Sequence, residues 1–398
     1  MQPRRLQAAF AYSALVLLTC PALRPLEYSV TFGDLFLLLA ILLNSDVAFK
    51  IQPFQVPLLA ATPFMILSQI FDPDATIVEI AQCCYIYGVV LPFGWVAFAG
   101  LKPSRVITVF LGALAVNALI AVGQNVGLIG ALGQGRIWAA RDTFRAAGLS
   151  ITCSSLCMTL TPVFPLLLYL KSYRLRIMLL ILLSLGILAT LAKSSIFAIP
   201  GLIYYLYREP NRTGVSRLIL GGSAVVACAF AMSTSLQWAV LDHFDSLLHR
   251  LQYLDVSLWE RSSTLRHSLS YVPECYLFGL GYAGTHLELT QHLGNTVHVF
   301  HVGLPLIGGL VCALLHYSGI FLLVRKASQL KHEPLVVLMI GQLLAVCTMP
   351  LLMHSFQYIA YALIGSVIVS SEMATAPRTA GQPLHAAKAP VVDGAVPA

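Results

Sequence analysis

The chain has 398 residues, of which 58% are hydrophobic and 10% charged, with a formal net charge of +7 and a mean hydropathy of +0.80. Soluble globular domains carry about 25% charged residues, so a surface of this composition could not be kept in water. The composition excludes a soluble enzyme, a disordered chain and a secreted disulfide scaffold. It predicts an all-α polytopic membrane protein folded as one helical bundle.

The N-terminal segment has some features of a signal peptide but is predicted to be a retained helix. Arg4 and Arg5 precede an apolar run from Leu6 to Cys20. No A-x-A cleavage site follows this run, whereas further apolar segments do. We therefore expect the N-terminus to lie in the cytoplasm.

Apolar runs long enough to cross a bilayer recur along the chain. Applying a span length of about 20 residues, we predict about twelve transmembrane helices. Their approximate bounds are 6–22, 29–45, 52–70, 76–100, 104–126, 149–170, 175–192, 194–207, 217–236, 298–324, 334–352 and 354–371. Spans seven and eight are short and nearly contiguous at Lys193, so the sequence leaves open whether both cross the membrane.

The distribution of basic residues tests this topology, because cytoplasmic loops are enriched in Lys and Arg. With both termini in the cytoplasm, most of the 24 Lys and Arg residues fall in cytoplasmic segments. The exceptions concentrate in two outer loops, 127–148 and 237–297. Cations placed there oppose the insertion bias, which indicates that they have another use.

The loop 237–297, between the ninth and tenth predicted spans, is the one long extracytoplasmic segment. Apolar residues from Leu241 to Leu254 recur at three- and four-residue steps, which predicts an amphipathic helix on the outer membrane face or over the bundle. A second helix is predicted within 259–272, ended by Pro273. A tight, close-packed turn follows, marked by three glycines: Gly279, Gly281 and Gly284.

The domain organisation is simple. Residues 1–371, including the outer loop, are predicted to form a single transmembrane bundle, and 372–398, with prolines among alanines, a disordered cytoplasmic tail. The nine cysteines show no CxxC or Cys/His zinc spacing and are read as small apolar packing residues. No internal repeat is visible, which disfavours an inverted-repeat transporter.

Outer-side cations are the candidate phosphate ligands: Arg141, Arg145, Lys193, Arg250, Arg261 and Arg266. A guanidinium is always charged and grips phosphate oxygens as a fork. Arg261 is the leading candidate, for a pyrophosphate carried on a lipid, and Arg145 could face the same cavity. The plain alternative for each cation is contact with lipid headgroups or a solvated loop charge.

Two histidines, His298 and His301, lie where the outer loop enters the tenth predicted span. A neutral imidazole there could accept a proton from an acceptor hydroxyl. A metal pair is a competing interpretation, but no carboxylate has matching spacing, and Glu288 lies elsewhere in the loop. A histidine hydrogen-bonded inside the bundle is the plain alternative.

Two carboxylates, Asp34 and Glu79, lie within or near apolar runs. Such residues are functional candidates by default, here as a proton relay, although a structural carboxylate between helices fits equally well. No P-loop, GxGxxG motif or basic nucleic-acid patch is present, so no nucleic-acid partner is expected.

The residues around the outer loop resemble the O-antigen ligase and polysaccharide polymerase superfamily of the bacterial envelope. The similar stretches are the run from Arg261 to Val272, the turn Phe278-Gly279-Leu280-Gly281, His298 followed by Gly308-Gly309, Arg145-Ala-Ala-Gly148, and Lys193-Ser194-Ser195. The chain departs from the pattern at Val299 and Ile307, where the family often has an Asn and an acidic residue.

The resemblance implies a metal-independent inverting glycosyltransferase of the C-type membrane fold, without cofactors, in the bacterial inner membrane with a periplasmic active site. Its donor would be a glycan on undecaprenyl pyrophosphate. Its acceptor would be another lipid-linked repeat unit in a polymerase of O-antigen or exopolysaccharide, or lipid A-core in a ligase. Chain-length regulator and flippase proteins are the partners that such a polymerase would work with.

The polymerase is slightly favoured over the ligase, and both stay open. In either, Arg145, Arg261 and Arg266 would hold the pyrophosphate and His298, or else His301, would act as base. The rival from another class is a lipid-linked oligosaccharide flippase. That function would place charges at mid-membrane depth, whereas here they gather at the outer surface.

Overall fold

The structure is a computed structural model that describes residues 3–23, 31–48, 50–133, 138–140, 143–190, 192–210, 265–285, 300–346 and 358–375. In these ranges the regular structure is helical apart from one antiparallel ribbon, β1 (Trp138–Ala140) with β2 (Thr143–Arg145). Four helical segments are long and apolar enough to cross a membrane: Ile77–Phe98, Pro103–Asn125, Tyr173–Thr190 and Leu310–Gln329. The predicted helical class and membrane-length apolar helices are confirmed, and the count of twelve spans stays a prediction.

The helices follow the predicted apolar runs closely. In chain order they are α1 (Pro3–Leu18), α2 (Phe32–Leu42), α3 (Ser45–Ala48), α4 (Gln55–Phe71), α5 (Ile77–Tyr85), α6 (Leu91–Phe93), α7 (Pro103–Asn125), α8 (Cys153–Leu160), α9 (Tyr173–Thr190), α10 (Ala198–Arg208), α11 (Phe300–Gly308), α12 (Leu310–Gln329), α13 (Glu333–Ala345) and α14 (Ile359–Thr375). Helix α14 extends past residue 371, so the predicted boundary of the tail was too early.

The fourth predicted span is helical throughout but irregular. A π-helix, Ile86–Val90, joins α5 to α6, and a 3-10 helix, Gly94–Phe98, follows. Pro92 lacks an N–H and cannot continue a regular α-helical hydrogen-bond ladder, which explains why the bonding pattern changes around it. The prediction of one uniform helix over 76–100 missed this change.

The tenth predicted span is interrupted, so the prediction of one helix over 298–324 was wrong. Gly309 has φ +91, and a Cβ there would lie 2.4 Å from the carbonyl oxygen of Leu277. The N–H groups of Leu310 and Val311 donate to the carbonyls of Cys275 and Tyr276, at 2.8 and 3.1 Å. The outer-loop segment therefore replaces the helical bonds that the interruption removes.

Close contacts between small residues hold the bundle together. A Cβ added to Gly186 of α9 would lie 2.4 Å from the Cβ of Ala118 in α7, and one added to Gly33 would lie 2.7 Å from the backbone N of Leu18. Helix backbones that approach this closely gain van der Waals contact, the main source of association between helices in lipid. The side chain of Asn125 also donates to the carbonyl of Ala189 at 3.3 Å, so the C-termini of α7 and α9 lie together.

The bundle has two chemically different ends. At one, which we name the paired end, cations meet carboxylates in three ion pairs: Arg176–Glu209, Arg208–Glu333 and Lys326–Glu372. These residues lie at the start of α9 and α13 and at the end of α10, α12 and α14. The opposite end, which we name the Arg145 end, contains the C-termini of α7 and α9 and the turn between β2 and α8.

The described part of the outer loop agrees with the glycine and proline patterns. A helix over 265–271 ends before Pro273, as expected. Gly281 has φ +76, and Cys275 is buried although it lies in a loop. The predicted amphipathic helix from Leu241 to Leu254 lies outside the described residues. Every cysteine in the described ranges is free, as the packing interpretation requires.

Candidate functional site

The Arg145-Ala-Ala-Gly148 segment is fixed to α7 by two buried amide side chains. Gln124 accepts from the N–H of Gly148 at 2.7 Å and donates to its carbonyl at 3.1 Å. Asn117 accepts from the N–H of Leu149 at 2.6 Å. Gly148 has φ +59, and a Cβ there would lie 2.0 Å from the Oδ1 of Asn117, so the clamp requires glycine.

Arg145 is the last residue of β2 and comes three residues before the clamped Gly148. Its guanidinium lies near the thiol of Cys157. Its Nε is buried and has no hydrogen-bond partner among the described residues. A buried N–H donor without a partner is costly, and an anionic ligand would relieve that cost.

The Lys193-Ser194-Ser195 element comes to the same place. It opens the 3-10 helix Lys193–Phe197, which packs against α8. The hydroxyl of Ser194 is buried and also faces the Cys157 thiol, and its Oγ makes no hydrogen bond of normal geometry with the described residues. Ser194 thus lies by a thiol that is within electrostatic range of Arg145. The side chain of Lys193 lies outside the described part of the structure.

His301, the second-choice base, is held inside the bundle. Its Nε2 lies 3.0 Å from the carbonyl oxygen of Leu343 in α13, and its Nδ1 contacts the hydroxyl of Tyr317 in α12. A carbonyl only accepts, so Nε2 donates, and in the neutral ring Nδ1 accepts from Tyr317. Both nitrogens are engaged, which favours the structural alternative for His301.

Helix α13 connects the two candidate regions. The 3-10 helix Lys193–Phe197 packs against it, and its residue Leu343 accepts the hydrogen bond from His301. The Ser194 and His301 elements are thus both in contact with one helix. Contacts that would join Arg145 directly to His301 are not found in the described part of the chain.

Arg266 is exposed on the helix 265–271. Leu265 and Val272, at the two ends of this segment, pack with Val302 and Leu306 of α11. The segment that follows Arg261 therefore lies along the helix that begins two residues after His298. This adjacency places Arg266 on a segment that packs against the helix that contains His301.

The glycine turn after this helix docks on the end of α4. The N–H groups of Gly279, Tyr282 and Gly284 donate to Ser68, Gln69 and Asp72 at 2.9, 3.0 and 2.8 Å. A Cβ at Gly281 would lie 2.3 Å from an oxygen of Asp72. Burial raises the pKa of the Cys275 thiol, which keeps it neutral. The glycines serve close backbone packing, as predicted.

The two carboxylates considered as a proton relay are helix caps. Asp34 accepts from the N–H and hydroxyl of Thr31 at 2.6 and 2.8 Å, and Glu79 accepts from those of Thr76 at 2.8 and 2.9 Å. Both are capping boxes, in which Thr and the acidic residue three positions later satisfy the helix start. The structural interpretation is therefore favoured at both positions.

Several predicted site residues lie outside the described residues: Arg141, Arg250, Arg261 and His298. Over the described ranges, no group of three His, Cys, Asp or Glu side chains is arranged to hold a metal ion.

The sequence interpretation missed Asn117 and Gln124, whereas it included Ser194 in the Lys193-Ser194-Ser195 element. A signal for the first two was present, because they lie two turns apart on one face of the apolar helix α7. Polar side chains on one face of a spanning helix point to a bonded partner in the bundle.

Comparison with models of known families and with curated proteins finds no match to this chain.

Proposed function

We propose that this protein is a membrane glycosyltransferase. It transfers a glycan from undecaprenyl pyrophosphate to an acceptor hydroxyl at the outer face of the inner membrane, and it polymerises O-antigen or exopolysaccharide repeat units. The twelve-span topology with cytoplasmic termini and a periplasmic active site is part of this proposal.

One observation carries the proposal most directly. The Arg145 guanidinium has a buried Nε without a hydrogen-bond partner among the described residues, and the buried Ser194 hydroxyl lies by the Cys157 thiol, which is within electrostatic range of Arg145. Arginine and hydroxyl donors fixed in a partly dry site suit phosphate oxygens, since charge-assisted hydrogen bonds are stronger there. The Gln124 and Asn117 clamp holds the backbone next to Arg145 and so keeps this side chain at the same point of the bundle.

The cations and the histidine have separate roles in the proposed reaction. Arg145, Arg261 and Arg266, with Lys193, hold the donor pyrophosphate. The acceptor oxygen forms a bond to the anomeric carbon as the bond from that carbon to the pyrophosphate breaks. The pyrophosphate leaves with the electron pair, His298 takes the hydroxyl proton, and the anomeric configuration inverts. The cations stabilise the charge that develops on the leaving group.

Transfer by the purified protein tests this function. Lipid-linked repeat units supplied in detergent or vesicles, without ATP or an ion gradient, should yield elongated glycan. Arg145→Lys keeps the charge but loses the fork, and we expect its rate to fall at least about tenfold, the value of one strong hydrogen bond. Arg174→Lys, an exposed arginine at the paired end, is the matched control and should stay at the wild-type rate.

Two further variants test the residues that the proposal takes from the sequence. Arg261→Lys should lower product sharply while the protein still inserts, and normal product would remove Arg261 from the site. His298→Ala should abolish transfer but retain binding of the donor lipid. An active His298→Ala protein would mean that another residue acts as the base. His301 is a poor candidate for that role, because both its ring nitrogens are hydrogen-bonded.

The alternative within the same chemistry is an O-antigen ligase acting on lipid A-core. A deletion strain distinguishes the two: loss of long chains on the carrier indicates a polymerase, and long unattached chains indicate a ligase. The alternative from another class is a flippase for lipid-linked oligosaccharides. A flippase would move the lipid in vesicles without forming any glycosidic bond.

A further inference from the structure

The paired end contains a cavity that the proposed reaction does not use. Its volume is about 200 Å³, and it lies between the start of α4 and the end of α12. Polar and cationic side chains line it together with three apolar ones, from the segment just before α4 and from α12: Gln52, Pro53, Phe54, Leu322, Arg325, Lys326 and Gln329. None of the described residues that line it is acidic.

The two cations of this cavity differ. Lys326 forms an ion pair with Glu372 of α14 at 2.5 Å. Arg325 is exposed and forms no ion pair or hydrogen bond with the described residues, although carboxylates pair with its neighbours at this end. The cavity therefore has one uncompensated guanidinium, the group that binds phosphate oxygens as a fork.

The start of α4 adds a second, independent feature that favours an anion. This helix has 17 residues, and Phe54, its N-cap, supplies no side-chain hydrogen bond to the first turn. Gln52, Pro53 and Phe54 line the cavity, so the uncapped helix end faces it. The N–H of Gln55 donates to the carbonyl of Gln52 at 2.9 Å and Pro57 has no N–H, so the attraction for negative charge comes from the positive end of the helix dipole rather than from a set of free donors.

Apolar surface next to the cavity fits a lipid better than a soluble anion. Arg325 lies in the last turns of α12, one of the helices long and apolar enough to cross a membrane. Phe321, one turn deeper on the same face, is 63% exposed, and Val56 in the first turn of α4 is 57% exposed. A phosphate at Arg325 would thus have exposed apolar side chains where its acyl chains extend.

We infer that this cavity binds the phosphate group of an anionic membrane lipid, held by Arg325 and the N-terminus of α4. The inference rests on the topology of the proposed function but not on its reaction. Basic pockets between spanning helices on the cytoplasmic side are suited to anionic headgroups, and the predicted topology puts the paired end on that side.

The test is the thermal stability of the purified full-length protein in detergent with added phosphatidylglycerol or phosphatidylcholine. The wild type should gain more from phosphatidylglycerol. Arg325→Gln should need roughly tenfold more phosphatidylglycerol for half of that gain, the loss expected for a charge-assisted hydrogen bond. Arg325→Lys, which keeps the charge, should fall between the two. Arg174→Gln, exposed at the same end but outside the cavity, should behave as the wild type.

Equal gains from both lipids in the wild type, or an unchanged gain in Arg325→Gln, would overturn the inference. Sodium phosphate at about 10 mM supplies the same group without acyl chains and should add nothing. If sodium phosphate alone reproduced the gain and Arg325→Gln removed it, a lipid would be ruled out as the source. Mass spectrometry of co-purified lipid gives a second readout, in which Arg325→Gln should retain less phosphatidylglycerol than Arg174→Gln.

Discussion

The two ends of the bundle differ in the partners of their cations. At the paired end, Arg176, Arg208 and Lys326 each meet a carboxylate within the chain. At the Arg145 end, Arg145 has no carboxylate among its described contacts, and its backbone is held by the neutral amides of Gln124 and Asn117.

This difference separates cations that stabilise the fold from cations left available to a ligand. An ion pair offsets the cost of taking both charges out of water, so its members are satisfied without any ligand. A guanidinium with a buried, unbonded Nε is not satisfied, and it costs stability until an anion binds. Arg176 also has a buried Nε without a hydrogen bond, but Glu209 offsets its charge, so it is the missing carboxylate among the described residues that marks Arg145 and the exposed Arg325 as binding residues and Arg176 as a structural one.

The largest predicted loss of unfolding free energy is at the buried ion pair Arg176–Glu209. The carboxylate of Glu209 is fully buried and the side chain of Arg176 is 12% exposed. Glu209→Gln would leave the Arg176 charge without compensation, which we expect to cost about 3–5 kcal/mol of unfolding free energy. Denaturation in detergent measures this, and a loss under 1 kcal/mol would show that the pair is not structural.

The next effect compares two glycines with positive φ, one at each end. Gly148 has φ +59 and its missing Cβ would overlap Asn117, whereas Gly100 has φ +78 with nothing within 4 Å. Gly100→Ala should cost only the backbone strain, about 1–2 kcal/mol. Gly148→Ala should cost more and also reduce transfer, because the clamp next to Arg145 must open. If Gly148→Ala and Gly100→Ala lowered the unfolding free energy equally, the hydrogen bonds of Asn117 and Gln124 would have to rearrange at little cost.

A smaller effect is expected at the exposed ion pair, Arg208–Glu333. Its side chains are 48% and 55% exposed, so water already screens both charges. Glu333→Gln should change the unfolding free energy very little, and high salt should remove even that small change. A cost as large as that of Glu209→Gln would contradict the distinction between buried and exposed pairs.

The smallest effect concerns pH at the same end. His332, in the turn before α13, contacts the Tyr169 hydroxyl and the Ser371 hydroxyl, and burial lowers its pKa below 6.5. Its unfolded form binds a proton first as the pH falls below 6.5, so stability should decrease from there toward acid. His332→Gln should flatten that part of the melting temperature profile. An unchanged profile would assign the slope to other groups.

Much of the helical framework was predictable from local chemistry. Apolar runs located the helices, Pro273 ended the loop helix, and the glycines from Gly279 to Gly284 marked a close turn. The interruption at Gly309 was not predictable, because it depends on the carbonyls of Cys275 and Tyr276, which are distant in sequence. The caps at Asp34 and Glu79 were readable from the Thr three positions earlier and were overlooked.

The sequence by itself determined that this chain is an apolar, helical protein with membrane-length helices, because hydropathy and helix length are properties of contiguous residues. It also identified Arg145 and Lys193-Ser194 as unusual. Only the tertiary structure decided that Ser194 lies by a thiol within electrostatic range of Arg145, that His301 is bonded on both sides, and that Arg325 has no described carboxylate partner whereas Lys326 has one. Such pairings depend on which faces of distant helices meet, and no local pattern encodes that.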